Sequence, residues 1–535
     1  MEQLSTWGGG QLLAFSGLDG PTDYRSGLVA RTATAGGTGV EIMLPAYAHL
    51  RFDAATPHET DITGDSLAVG TASGSTRMVF LDAHHVLIEG PCAVGKLPDE
   101  LRSVSRGDRM LVGSAAHFDD ALLESDFETT WSARRRWLCD RRGLLTGEPE
   151  ARKRTAVKCL SIMKTQVCSP EGKITHRWTT PDRWPHRNMW LWDSAFHAIG
   201  WRHVDAALAK EMLLAVLDMQ HADGRIPISN NPFFEKTSGY TQPPVLTLAA
   251  ALVDELAPDD EWLAAVYPRL RAYVEWDLKN RDTDGDGLLE WAIEGNPGCR
   301  SGESGADNST RFDSATQLDA PDFNAMIALE LELLAAIASR LCRPDEAREL
   351  LSRQQTICRL MNERLWDDDA GLYIDAHAGT AERTGVLSYA GFLPLICGAA
   401  SREQAGRIVS HLSNPATFGR PLPIPTISAS DAGYKKDMWR GPAWVNINWL
   451  VERGLRRYGY TKEADRIVTT TCEVIERMYA QLGSIFEYYD DEDALVPPEL
   501  DRKGANDGSR WIHRVIHDYG WSATLYVDWT LRGRS

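Results

Sequence analysis

From about residue 150 onward, apolar side chains recur every three or four positions. Phe323, Ile327, Leu331, Leu334 and Leu341 make one such stripe; Ile467, Val468, Ile475, Met478, Tyr479 and Leu482 make another, closed by Gly483. That spacing lays the apolar groups along one helical face. It predicts about twelve helical segments, near 149–168, 193–201, 203–221, 242–256, 259–280, 321–341, 343–365, 385–398, 401–412, 440–458, 461–481 and 519–532. Short and long connections alternate between them. The long ones (169–192, 222–241, 281–320, 366–384, 413–439 and 482–518) hold most of the Gly, Pro, Asn and Trp. Six helical hairpins closing in a ring, an (α/α)6 barrel with its long loops at one mouth, is the expected architecture. An unclosed helical bundle is the alternative.

Before residue 125 the pattern changes. Short β-prone runs such as Leu28–Ala30, Val40–Leu44 and Met78–Leu81 alternate with Gly, Asp, Ser and Thr, the signature of strands between turns. The expected organisation is therefore mainly α: a β-rich, sandwich-like domain over 1–125, a helical linker over 126–150 and the barrel over 151–535.

Composition narrows the function. Apolar residues make up 43% and charged residues 25% of the 535 positions, ordinary for a globular protein. Basic residues number 57 against 75 acidic, a net charge of −18, which repels phosphate backbones and argues against nucleic-acid or anionic-membrane partners. No apolar run reaches the 18 residues of a membrane span, and residues 1–17 lack a basic, apolar leader, so the expected compartment is the cytoplasm. Nine cysteines without C-x-x-C or zinc-finger spacing read as reduced thiols. The 18 Trp exceed core needs and suggest aromatic platforms in a ligand cleft.

Four loops concentrate polar and aromatic groups. One carries Trp190, Trp192 and Asp193; a helix N-cap is the plain reading of that Asp. A glycine-rich loop, 294–313, packs Glu303, Asp307, Asn308, Arg311 and Asp313 together. A third runs from Lys436 through Trp439, Arg440 and Trp444 into a helix, and a fourth places Glu487 among Phe486, Tyr488 and Tyr489. Two carboxyls in different surroundings, with indole and phenol faces, are what glycoside hydrolysis requires. No G-x-S-x-G, zincin helix, P-loop or dinucleotide-binding glycine pattern is present. Asp282-Thr-Asp284-Gly-Asp286-Gly287 imitates the opening of an EF-hand, but position twelve is Ile293 where that loop needs a bidentate Glu. A plain turn is expected there, with a non-standard Ca²⁺ site on Asp282, Asp284 and Asp286 as the alternative; no cofactor is otherwise required.

These loops resemble glycoside hydrolase family 63, the group of processing α-glucosidases and bacterial mannosylglycerate and glucosylglycerate hydrolases. They are more distantly similar to the family 37 trehalases. The matching segments are NMWLWDSAFHA (188–198), QHADGRIP (220–227), ESGADNSTRFD (303–313), YKKDMWRGPAWVNINWL (434–450) and FEYYD (486–490). The resemblance implies an inverting α-glycosidase with Asp307 as general acid and Glu487 as general base; such pairs stand ~6.5–9.5 Å apart to admit a water. It implies a sugar pocket lined by Trp190, Trp192, Asp193, Trp439 and Arg440. Gln220, Glu303, Arg311 and Trp444 are further substrate-binding candidates, and Asn446 and Asn448 weaker ones. The expected substrate is a small α-linked glucoside or mannoside, either a disaccharide or a glycerate glycoside whose carboxylate would need a cation such as His186, Arg187, Arg311 or Lys436. Ala306, where relatives often carry a bulkier residue, widens the choice of substrate. A carbohydrate-binding protein without hydrolysis, a trehalase, or another sugar-active enzyme on the same barrel are the alternatives.

Overall fold

The computed structural model describes residues 6–34, 38–52, 60–71, 74–233, 237–380, 382–506 and 513–533. Among these, eleven strands come first, all antiparallel. Leu12–Ala14 (β1), Val29–Thr32 (β2), Gly39–Leu44 (β3), Ala48–Arg51 (β4) and Ala93–Val94 (β9) form one sheet in the order β1-β2-β3-β4-β9. Thr60–Ile62 (β5), Ser66–Thr71 (β6), Gly74–Phe80 (β7), His85–Glu89 (β8), Leu101–Arg106 (β10) and Arg109–Ser114 (β11) form the other, in the order β10-β11-β8-β7-β6-β5. Leu13, Val40, Leu50, Leu67, Met78 and Ile88 are buried in one shared apolar cluster, as two facing sheets require.

Helices follow: Phe127–Arg141 (α1), Glu150–Gln166 (α2), Leu191–Trp201 (α3), Ala206–Asp218 (α4), Leu246–Leu256 (α5), Asp260–Asn280 (α6), Pro321–Arg340 (α7), Pro344–Arg364 (α8), Arg402–Ser410 (α9), Val445–Arg457 (α10), Thr461–Leu482 (α11) and Gly520–Leu531 (α12). Their ends are chemically marked. Asp205 and Asp259 cap α4 and α6 by accepting from Leu208 N and Trp262 N; Ser401 and Gln404 form a capping box on α9. Gly483 ends α11 at φ +74°, where a Cβ is disfavoured.

The ring closes. α3 packs on α5, α5 on α7, α7 on the 3₁₀ segment Tyr389–Leu395, that segment on α10, α10 on α12, and α12 back on α3. Each of these inner elements is preceded in the chain by an outer one, α2, α4, α6, α8, α9 or α11. The chain is thus an (α/α)6 barrel. One expected helix is corrected: 385–398 is not an α-helix but this short 3₁₀ run. Pro394 lacks the donor an α-turn needs, and Gly391 lies so close to Leu372 and the Tyr373 carbonyl that a Cβ there would meet them at 2.4 and 2.5 Å.

The β-rich part is fastened to the barrel mouth. Arg31 on β2 donates to the carbonyls of Gly10, His517 and Asp182 at 2.7, 3.1 and 3.1 Å. Leu12 N and Lys158 Nζ both reach Asp518 Oδ2, at 2.8 and 2.6 Å. Among the described residues no helix is long and apolar enough to cross a membrane.

Candidate active site

A cleft of about 260 Å³ opens at the mouth of the ring, lined by Trp190, Trp192, Asp193, Asp307, Trp439, Trp444, Glu487, Arg502, Lys503, Tyr519 and Trp521, with His186, Tyr240, Gln242, Glu294 and Cys299 among the rest. It draws on the start of α3, the α6–α7 connection, the segment before α10, the α11–α12 connection and the start of α12. Each contributes for a local reason. Asp193 lies in the first turn of α3, whose cap position is Trp190 rather than the Asp, so its carboxyl is left to face inward. Gly305 adopts φ +72° and its Cα lies against the Trp192 ring, where a Cβ would meet ring carbons at 2.5 Å. Only glycine lets the loop carrying Asp307 come this close. Met438 and Lys503 also hold left-handed φ, +48° and +56°, backbone states that cost ~1–3 kcal/mol and concentrate at functional sites.

Aromatic faces build one wall. Trp439 and Trp444 stack with centroids 3.9 Å apart and planes 13° apart; Trp521 stands edge-on to Trp192 at 5.0 Å. The indole N–H groups of Trp190, Trp439 and Trp521, three residues that line the cleft, are buried and have no partner in the protein.

The carboxyls sit in contrasting surroundings. Glu487 is 2% exposed and gripped by Arg502, whose Nε and Nη2 donate to its two oxygens at 2.8 and 3.1 Å. Burial alone would lower Arg502, but the paired carboxylate holds it above its usual value. Asp307 is half-buried and meets Lys503 Nζ at 2.8 Å. Burial would likewise lower Lys503; Asp307 more than offsets it. Asp193 is driven well above the carboxylate range by burial, although the Tyr519 hydroxyl donates to it at 3.3 Å. Asp182 holds His186 Nδ1 at 2.6 Å; burial would raise Asp182, and His186 and Arg31 keep it low.

The residues expected to meet divide cleanly. Asp307, Glu487, Trp190, Trp192, Asp193, Trp439 and Trp444 come together in the cleft. Gln220, Glu303, Arg311 and Arg440 do not line it. Gln220 donates to the carbonyls of Gly224 and Arg269, and Arg440 pairs with Asp313. Glu303 is fully buried, accepting from Arg281 at 2.6 and 2.9 Å and from Thr241 N and Ala292 N. Arg311 lies between Asp322 and Asp375, at 2.7–2.8 Å from each. Both charges are used to hold the loop that carries Asp307. Asn448 joins Pro423, Ile424 and Thr471 and is structural; Asn446 is buried. Of the cations considered for a carboxylate, His186 lines the cleft, while Lys436 is taken by Asp490 and Asp491 and Arg187 lies over Tyr24. Arg502, Lys503, Tyr519 and Trp521 were not anticipated; the one sequence signal was a basic pair inside the longest late loop. The acidic turn at Asp282, Asp284 and Asp286 lies apart from the cleft lining, beside Glu290 and Asp319.

A closed (α/α)6 ring with two carboxyls and an aromatic wall at its mouth defines a glycoside hydrolase of the barrel type. A family model described as the mannosylglycerate hydrolase MGH1-like glycoside hydrolase domain matches residues 186–522, more than half of the chain, and the chain belongs to that family. A mannosylglycerate hydrolase of Thermus thermophilus is 26% identical over 437 residues, covering 66% of this chain and 96% of its own. The crystal structure of a family 63 mannosylglycerate hydrolase from another strain of Thermus thermophilus, in complex with glucose, is 26% identical, with a TM-score of 0.58, covering 70% of this chain and all of the other. A bacterial glucoamylase complexed with acarbose shares the fold alone, at 11% identity, with a TM-score of 0.59 over 98% of this chain.

Proposed function

We propose that this protein is an inverting α-glycosidase acting on a small α-glucoside or α-mannoside, with Asp307 as general acid and Glu487 as general base. The observation that carries this is the convergence of both carboxyls, from loops 180 positions apart, on one cleft walled by indoles. Glu487, held at both oxygens by Arg502, has its lone pairs fixed in direction and is suited to orient and deprotonate a water. Asp307, at the half-open side, is suited to protonate the departing oxygen. Asp193 and the indoles of Trp190, Trp439 and Trp521, all on the cleft wall, would hold the sugar. A cleft of about 260 Å³ lies just below the usual size of ligand pockets, ~300–1,000 Å³, and suits a short glycoside better than a polymer.

Lys503 narrows the aglycone. To pass a proton to the leaving oxygen, Asp307 must give up its contact with the Lys503 ammonium. A carboxylate on the aglycone would draw that ammonium away as the substrate binds. The names of the relatives, mannosylglycerate hydrolases, agree with such an aglycone. The test is proton NMR of the full chain with glucosylglycerate, mannosylglycerate, trehalose, kojibiose and nigerose, following the first anomer released before mutarotation. Early β-sugar from a glycerate glycoside is expected. Early α-sugar would reject inversion, and turnover of the neutral disaccharides alone would reject the carboxylate.

A further inference from the structure

The far end of the ring holds a second cavity, of about 370 Å³. α10 runs between the two: Trp444 at its start lines the cleft, whereas Leu450, Arg453, Arg456 and Arg457 further along it line this cavity. Leu248 of α5, Leu329 and Leu333 of α7, and Ile396 complete an apolar wall with Leu450; Arg532, just past α12, adds a fourth arginine. Three of the arginines are spent. Arg457 donates to both oxygens of Glu332 at 2.9 and 3.0 Å and to Ile396 O at 3.1 Å. Arg456 pairs with Glu452 and Asp465, and Arg532 with Glu452 and Asp528. Arg453 is left over. Its guanidinium lies over the Trp449 ring, 4.9 Å from the centroid, and among the described residues no acceptor takes its N–H groups. The nearby carboxylates are already filled: Asp528 also holds Arg202, His203 and the Trp449 indole. Burial first, then the like charge of Arg532, lowers Arg453, against the pull of Asp528 and Glu452.

We propose that this cavity is a second ligand site, for a monocarboxylate with an aliphatic tail. The carboxylate pairs with Arg453, whose planar fork of donors matches its two oxygens, and the tail lies on the wall of Leu248, Leu329, Leu333, Ile396 and Leu450. One arginine with unused donors calls for one negative charge. A phosphate dianion would meet three further arginines that Glu332, Glu452, Asp465 and Asp528 already neutralise. A sugar acid would set its hydroxyls against leucines and lose water without gaining partners. The volume, about 370 Å³, falls within the ~300–1,000 Å³ of small-molecule sites. The cavity shares no lining residue with the cleft, so its occupant is distinct from the glycoside.

The test is calorimetric titration of the full chain with sodium butanoate, hexanoate and octanoate, with neutral octanamide and with inorganic phosphate. One octanoate per chain is expected, with affinity rising along the series by up to about fourfold for each buried methylene. Octanamide and phosphate should bind about tenfold more weakly than octanoate, or less tightly still. Arg453→Gln should weaken octanoate by about tenfold or more at a Tm close to that of the wild type, because no carboxylate of the fold depends on that charge. Leu333→Asn, half-buried on the wall, should flatten the rise along the series, and it carries the test if Arg453→Gln does not fold. Absence of octanoate binding by the wild type at millimolar concentration would overturn the proposal. Phosphate or octanamide binding as tightly as octanoate, or undiminished octanoate affinity in the folded variants, would overturn it too.

Discussion

Replacing each proposed catalytic carboxyl and changing the leaving group separates their roles. General acid or base assistance is worth ~10²–10⁴-fold, about 3–5 kcal/mol of barrier at 1.36 kcal/mol per decade. On an α-glycoside, Asp307→Asn and Glu487→Gln should therefore each lower kcat by at least two orders of magnitude. On the corresponding α-glycosyl fluoride, whose leaving group needs no proton, Asp307→Asn should recover to near wild-type turnover while Glu487→Gln should not. The structure says which variant needs a stability control. The Asp307–Lys503 pair has side chains 20% and 23% exposed, and such partly solvated pairs contribute ~0–1 kcal/mol, so Asp307→Asn should unfold like the wild type. The Glu487–Arg502 pair is 3% exposed on both sides. Removing one member leaves a buried charge uncompensated at a cost of about 3–5 kcal/mol, so Glu487→Gln should be assayed well below its own Tm. Fluoride release by electrode and sugar release by NMR, at matched folded fraction, provide the comparison. If Asp307→Asn lost as much on the fluoride as on the glycoside, Asp307 would not be the acid, and full activity of Glu487→Gln would remove it as the base.

Gly305→Ala should lower both stability and activity, because its φ of +72° is strained for alanine and its Cβ would meet the Trp192 ring at 2.5 Å; unchanged kcat and Tm would show that the loop shifts freely. His197 is buried with Nδ1 at 2.8 Å from Thr179 Oγ1, and burial drops its pKa from about 6.5 to about 3. The unfolded chain therefore binds a proton that the folded one refuses: this contribution is complete above pH ~6.5 and is lost as pH falls toward ~3, at up to about 1.4 kcal/mol per unit. Urea denaturation across that range should show the slope, and His197→Gln should flatten it by one proton; an identical slope in the variant would exclude His197 as its source.

Outer helices such as α8 and α11 were legible because burial along them is periodic, and a period of 3.6 survives without knowledge of what lies opposite; α3, by contrast, is buried along its whole length. The same signal failed at 385–398, where the residues are apolar but Pro394 and the crowding of Gly391 against Leu372 decide the backbone. That crowding belongs to a neighbour and not to the segment itself. At the cleft, the expected residues that line it are carboxyls and indoles packed into short runs, whereas Arg502 and Lys503 stand in an irregular stretch whose neighbours carry no period. Glu303 and Arg311 illustrate the reverse error. They sit within a few positions of Asp307, with the same chemistry and the same loop, yet four carboxylate–guanidinium contacts to Asp322 and Asp375 consume Arg311, and Arg281 with two backbone amides consumes Glu303. What separates a charge that meets substrate from one that holds a loop is how many of its hydrogen-bonding positions the fold has already filled. Among the groups the fold leaves short are the indole N–H groups of Trp190, Trp439 and Trp521, on residues that line the cleft, and Asp277, Asn446 and Asp437, on residues that do not. Unfilled polar capacity thus marks a ligand site only where the residue that carries it also lines a cavity.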